Sequence, residues 1–397
     1  MPWKTISLLK VRQRLIEAML ARRHTLQKLS QQFGVSRQTA YKWLNRFRQR
    51  GFPGLRNQSR RPHRSPGRLS SFWLQALQRV RRTRPHWGAK KIHQQLRWQY
   101  PRRPLPCVRT VHRWLKRLGW LPPRLKRARR GPSVPHPGLT VARRPNQVWT
   151  VDFKGWFRTQ DGIRQEPLTV RDLFSRYSLC LRLLPNQDDQ PVRCAMTRLF
   201  QAQGVPEAIR VDNGSPFGGK GALGLSRLSV WWLRLGIRVE FTRRARPGDN
   251  AAHEQFHGCY QREVVTQGAP NRQAMQRRSS RWLTFYNQQR PHEALNQRMP
   301  AQIYRPNSRR YPLVLPPLIY PKNWTVRRVR NRGHIKWRGR LRFVGRAFVG
   351  QSVGLKPLDQ NVQAVYLGKL LIGHLYQQDL GGMRPGHWQR HLGKLKL

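Results

Sequence analysis

Acidic residues are scarce in this sequence: 16 aspartates and glutamates stand against 79 lysines and arginines, leaving a formal charge of +63 on 397 residues. That excess is far beyond what solubility needs, and it points to a polyanionic partner, nucleic acid first. Cysteine is also rare. The four present, Cys107, Cys180, Cys194 and Cys259, include no CxxC pair, which excludes a zinc ribbon and a disulfide framework and fits a reducing cytoplasm. His86, His93 and His112 lack the spacing and the cysteine partners of a zinc site and read as core or surface histidines. Long apolar runs are missing too. The opening MPWKTISLLKVRQRL is charged every few residues, so neither a secretion leader nor a membrane partner is expected.

The few acidic residues are not spread evenly. Thirteen of the 16 fall between Asp152 and Glu293. Arginine accumulated through genome base content alone would not gather carboxylates in one segment. The pattern suggests a central region whose chemistry uses carboxylates, flanked by basic regions that hold DNA.

Residues 8–52 read as three short helices, LLKVRQRLIEAMLAR, TLQKLSQQFG and SRQTAYKWLNRFRQRG, with apolar positions returning every three or four residues. In the join Phe33-Gly34-Val35-Ser36, glycine ends the second helix and Ser36 can cap the third, as a helix-turn-helix requires. The third helix would present Arg37, Gln38 and Lys42 to DNA and turn Ala40, Trp43, Leu44 and Phe47 inward. A basic linker (53–69) precedes a second unit of this kind at 70–121, with helices in GAKKIHQQLRWQY and VRTVHRWLKRLGW. There Cys107 occupies the cap position, and Arg109 and Arg113 are expected at the DNA surface. A Pro/Arg-rich linker (122–145) follows. Which unit reads a specific sequence stays open at this point.

From 146 to 306 the pattern becomes mixed. NQVWTVDF, EPLTVRDLF and RYSLCLRLL read as strands, followed by a helix near 188–203, a strand EAIRVDN, a helix near 226–235, a strand IRVEFT and helices over about 250–287. From 307 to 397, short β-rich runs between Gly and Pro suggest a small basic β-barrel. The fold class is therefore multidomain α/β: N-terminal all-α helix-turn-helix units, a central mixed sheet with flanking helices, and a C-terminal barrel.

Asp152 lies mid-strand, on the opposite side from Trp149, Val151 and Phe153. Asp212 closes EAIRVDNG at a strand end, where ligand sites of open α/β sheets gather. Glu254 begins a helix that Asp249 or Asn250 can cap, with His257 and Gln261 expected on its face. Carboxylates brought together from two strands and a helix would suit two Mg2+ or Mn2+ ions bracketing a phosphodiester.

These residues carry a resemblance. NQVWTVDFKG, VDNGSPF, PGDNAAHEQFH and above all FYNQQRPHEALNQRMPAQIY resemble the insertion-sequence transposases, whose core is similar to retroviral integrases; the likeness covers 10 to about 306. It implies an RNase H-like core with Asp152, Asp212 and Glu254 as the DDE triad. Asn213, Asn250 and His257 would support that triad, and Arg290 and His292 would join the DNA contacts. It also implies a homo-oligomer that pairs two element ends on double-stranded DNA and transfers them to a target, in a bacterial cytoplasm beside the nucleoid. The chain departs from the family at Ala251, where glycine usually follows the asparagine, at Gln255 and Gln261, where basic residues are common, and in the 42 residues from Asp212 to Glu254. A copy that had lost its chemistry would remain a sequence-specific DNA-binding regulator.

Overall fold

The computed structural model describes residues 7–59, 69–121, 138–243 and 247–386, together with the backbone of 394–395. Two parts of the expected linkers, 60–68 and 122–137, lie outside the described residues. The chain divides into a unit ending at Arg68 and one running from Leu69 to Leu397.

The first unit holds α1 (Leu8–Leu20), α2 (Leu26–Gln32) and α3 (Arg37–Arg50). Ser7, Thr25 and Ser36 cap them, each accepting from the backbone N–H three residues on. Gly34 takes φ +61°, the left-handed conformation that lets the chain leave α2 and enter α3 at once. Ile16, Trp43, Leu44 and Leu55 form one core patch and Leu15, Leu29 and Ala40 another. Leu55 shows that the segment expected to be linker from residue 53 begins folded, as a 3-10 turn over Phe52–Leu55.

In the second unit, α4 (Ser71–Thr83), α5 (Ala89–Gln99) and α6 (Val108–Arg117) enclose Leu77, Ile92, Leu96, Val111 and Leu115. The sequence pattern had pointed to the last two; α4 is additional. Cys107 stands at the start of α6 and makes no capping bond, as its position suggested.

The central sheet is built from β1 (Val148–Phe153), β2 (Phe157–Arg158), β3 (Arg164–Asp172), β4 (Ser178–Leu184), β5 (Ala208–Val211) and β6 (Arg238–Phe241). β3 pairs antiparallel with β1, β2 and β4, whereas β5 runs parallel to both β1 and β6. Residue parity sorts the faces. Trp149, Val151, Leu168, Val170, Ile209 and Val211 face an apolar core shared with α7 (Asp189–Gln203) and α8 (Arg227–Arg234). Thr150, Asp152, Thr169, Arg171 and Arg210 alternate with them and make the polar face. Arg210 and Glu240, opposite one another on β5 and β6, form a buried ion pair at 2.9 Å. Two helices, α9 (Ala251–Glu263) and α10 (Arg272–Gln288), pack with β4 around Leu181, Leu183, Phe256 and Trp282.

The helical part of this unit is docked on α10. Trp87 stacks on Phe285 with ring centres 6.0 Å apart, and the Arg84 guanidinium lies 3.9 Å from the same ring. Lys90 pairs with Glu293. Burial, and then Arg290, pushes the Lys91 ammonium down to about 8.

At the C-terminal end, β7 (Thr325–Arg328), β10 (Ser352–Pro357), β11 (Val362–Leu367), β12 (Leu370–Tyr376) and β13 (Arg384–Pro385) form an antiparallel sheet beside a hairpin of β8 (His334–Trp337) and β9 (Arg340–Phe343). The expected barrel is not closed among the described residues. The hairpin meets the far end of the sheet through one bridge, Phe343 to Gly382, rather than a continuous ladder. Val353, Leu355, Val365 and Leu375 of this sheet join the apolar core of the central one. A last strand, β14 (Lys394–Leu395), pairs antiparallel with β6. No helix among the described residues is long and apolar enough to cross a membrane.

Candidate active site

β1 and β5 bring two aspartates near one another. Their parallel register pairs Val148 with Ala208 and ends at Thr150 with Arg210; Asp152 follows two residues later on β1, and Asp212 two residues later just past the end of β5. Asp152 is half-buried and stands one residue before the end of β1 rather than mid-strand, while Asp212 lies exposed just beyond the end of β5. Asp212 Oδ1 accepts from the Gly214 N–H at 3.1 Å. A Cβ at position 214 would come within 3.3 Å of that carboxylate, a tight contact to which the side chain would have to yield slightly.

Glu254 stands exposed in the first turn of α9. Burial raises the Asp152 carboxyl to about 7, and the nearby negative charges of Asp212 and then Glu254 add to the rise, against the Phe153 N–H that lowers it. Asp152 thus feels both other carboxylates, although among the described residues no three His, Cys, Asp or Glu side chains already surround a metal-sized space.

The supporting residues fall in three places. Asn250 Nδ2 donates to Asp152 Oδ2 at 3.4 Å, and its Oδ1 is buried without a hydrogen-bond partner. Asn213 turns away, donating to the Thr242 carbonyl at 2.5 Å and fixing the loop after β5. His257 does not share the exposed side of Glu254. Its Nε2 lies 2.8 Å from Thr169 Oγ1, inside the sheet–helix interface.

That interface contains residues the sequence reading passed over. Thr169, the ladder partner of Asp152, donates its hydroxyl to the Asp152 carbonyl at 2.9 Å. His253 Nε2 lies 2.6 Å from the same hydroxyl, and His253 Nδ1 lies 2.9 Å from Thr150 Oγ1. Burial, with Arg171 nearby, pushes both imidazoles far below their ordinary range, His257 to about 3, so both are neutral. Arg171 is buried on the same face. It donates to the carbonyls of Ala252 and Arg176 and to the Tyr286 hydroxyl, tying β3 to the start of α9 and to α10. Parity along β1 and β3, together with the i, i+4 spacing of His253 and His257, was the available signal.

Two expected DNA contacts lie elsewhere. Arg290 is 3% exposed and bonds Glu263, so a phosphate cannot reach it without breaking that pair. His292 packs edge-on against Tyr286 with ring centres 4.8 Å apart, and burial pushes it down to about 2. Arg37, Gln38 and Lys42 on α3, and Arg109 and Arg113 on α6, are exposed.

Comparison with known families runs along the chain in the same order as these elements. Residues 11–63 match a helix-turn-helix domain and 39–115 a homeodomain-like domain. Residues 142–247 and 235–300 match the integrase core domain, and 324–377 match the C-terminal domain of IS481 family transposases. This order of matches is similar to the domain series of an insertion-sequence transposase.

Proteins similar to this chain are found in insertion elements. The chain is 28% identical over 195 residues to an uncharacterized 31.7 kDa protein of insertion element IS407 from Burkholderia multivorans, spanning 49% of this chain and 68% of that protein. It is 26% identical over 230 residues to an uncharacterized 39.2 kDa protein of insertion element IS476 from Xanthomonas euvesicatoria, spanning 57% of this chain and 62% of that protein. Among solved structures, the HTLV-2 integrase catalytic core domain in complex with magnesium is 15% identical, with a TM-score of 0.34 over 42% of this chain and 100% of that one. The simian T-cell lymphotropic virus intasome is 14% identical, with a TM-score of 0.36 over 75% of this chain and 97% of that one.

Proposed function

We propose that this chain is a DDE transposase that cleaves DNA at the ends of its element and joins them to a target, with Asp152, Asp212 and Glu254 as the catalytic carboxylates. The single observation carrying the reading is that Asp152 on β1 lies within electrostatic reach of both Asp212, just past the end of the neighbouring β5, and Glu254 on α9. An all-oxygen donor set of this charge suits hard divalent cations, Mg2+ or Mn2+, better than zinc or copper. The partnerless Asn250 Oδ1 beside Asp152 offers a further polar atom to an ion or its water.

Bound there, two ions would lower the pKa of an attacking water or 3′-hydroxyl and neutralise the departing oxygen. The protein's share is positioning. β1 and β5 fix the two aspartates, α9 carries Glu254 to them, and the half-buried Asp152 must give up its proton before it can act as a ligand. The exposed basic residues of α3 and α6 would hold duplex DNA, supported by the overall charge of +63. Joining two element ends calls for more than one copy of the chain, acting at the bacterial nucleoid.

The test is strand transfer in Mg2+ with a duplex made from the inverted repeats flanking the gene. Asp152→Asn should abolish transfer and keep duplex binding, because it removes a ligand and no phosphate contact. Wild-type transfer by that variant would remove the assignment.

A further inference from the structure

We propose that the Thr169 hydroxyl is a positioning group for the carboxylate site, pinning the strand that carries Asp152 and the helix that carries Glu254 in one register. The inference rests on the catalytic reading of those carboxylates and adds a residue to it.

A threonine hydroxyl has one proton to give and two lone pairs to offer. Here all three are used. The proton goes to the Asp152 carbonyl at 2.9 Å, and the oxygen accepts from His253 Nε2 at 2.6 Å and His257 Nε2 at 2.8 Å. This allocation fixes the tautomers: both imidazoles carry hydrogen on Nε2, and His253 Nδ1 is left to accept from the Thr150 hydroxyl at 2.9 Å. The weaker approach of Thr150 Oγ1 to the Arg171 carbonyl, at 3.4 Å, then goes without its proton.

Apolar residues would dock α9 on the sheet at least as firmly, since a buried polar group contributes little net stability and is costly if left unpaired. They would not fix its rotation, because hydrophobic contact is non-directional. Two imidazoles one turn apart, both aimed at one oxygen, do fix it. Glu254 directly follows the first of them in sequence. A rotation of about 20° would carry a carboxylate about 6 Å from the helix axis through roughly 2 Å, the length of a metal–oxygen bond. The junction therefore controls the quantity a two-ion site is most sensitive to, and Thr169 itself touches neither ion nor substrate.

The experiment uses the full chain and Mn2+ as probe, with free Mn2+ read by electron paramagnetic resonance and the fold by near-ultraviolet circular dichroism and melting. Thr169→Val keeps the shape and removes the hydroxyl, and should weaken Mn2+ binding 10- to 100-fold, the range typical of residues that orient ligands (~10–100-fold). Thr169→Ser restores the hydroxyl and should bind within about threefold of wild type. Should Thr169→Val not fold, His257→Leu removes one of the two aiming bonds, leaves no unpaired donor, and should weaken binding as well. Asp212→Asn separates the two levels of the argument. If it weakens Mn2+ binding while the folded Thr169→Val or His257→Leu chain binds as wild type, the positioning role is wrong and the carboxylate reading stands. If Asp212→Asn binds as wild type, the carboxylate reading falls and the inference with it.

Discussion

Arg290 donates from Nη1 to both oxygens of Glu263, at 2.6 and 2.7 Å, and from Nη2 to Cys259 Sγ at 3.3 Å, which ties the chain just beyond α10 to the end of α9. Burial pushes the Glu263 carboxyl up, but Arg290 and the Trp282 N–H outweigh it and hold it below the ordinary range. Removing one partner strands the other charge inside the protein. Arg290→Ala should therefore cost about 3–5 kcal/mol in denaturant unfolding and leave the duplex affinity of the folded chain unchanged. Weaker duplex binding at unaltered stability would return Arg290 to the DNA surface.

Lys91 makes stability depend on alkaline pH. Its pKa in the folded chain, about 8, lies below the ordinary 10.5 of an exposed lysine, so between those values the unfolded chain holds the extra proton. Stability should rise with pH across that window and carry the full cost of burying the charge below it. Lys91→Met should raise the melting midpoint at pH 7 and flatten the rise between pH 8 and 10. A variant that follows the wild-type pH curve throughout would show that the ammonium is hydrated where α5 meets α10.

The uncapped start of α6 can be repaired. Cys107 precedes Val108 with extended backbone angles suited to a cap, and it makes no capping bond. Cys107→Ser supplies an oxygen for the orphan N–H groups and should raise the melting midpoint by about 2 °C. Calorimetry showing no rise would mean that those groups already find equivalent partners in water.

Arg37 and Lys42 project from α3 into solvent. If both meet phosphates, replacing both by alanine should reduce the slope of log affinity against log salt by roughly two, because each contact releases about 0.9 of a counterion. An unchanged slope in fluorescence anisotropy titrations would take this helix off the DNA.

What the sequence disclosed and what it hid follow the range of the interactions. Alternation along Trp149, Val151 and Phe153 placed Asp152 on the opposite face, and the structure puts it there, because strand parity is a local property. Ser36 and Gly34 announced the turn before α3 for the same reason. Thr169, 84 residues from His253, could be joined to it only by knowing which strand lies under α9. The resemblance that placed Arg290 among the DNA contacts could not show that Glu263, 27 residues earlier, pairs with it inside the fold. Closure of the expected barrel is not seen among the described residues, and it depends on how the hairpin of β8 and β9 meets Gly382 rather than on any short run of residues.

The apolar core that runs without a break from the central sheet into the C-terminal one also bears on how such a gene can shrink. Trp231 and Phe200 pack with Tyr311, and Arg234 donates to the Pro316 carbonyl, so a stop codon after residue 306 would leave the carboxylate domain with an uncovered greasy flank. Such a fragment would be cleared or would aggregate rather than persist as a lighter enzyme. A shortened product able to act in the cell would more readily be cut near residue 60, where the first helical bundle already encloses its own core.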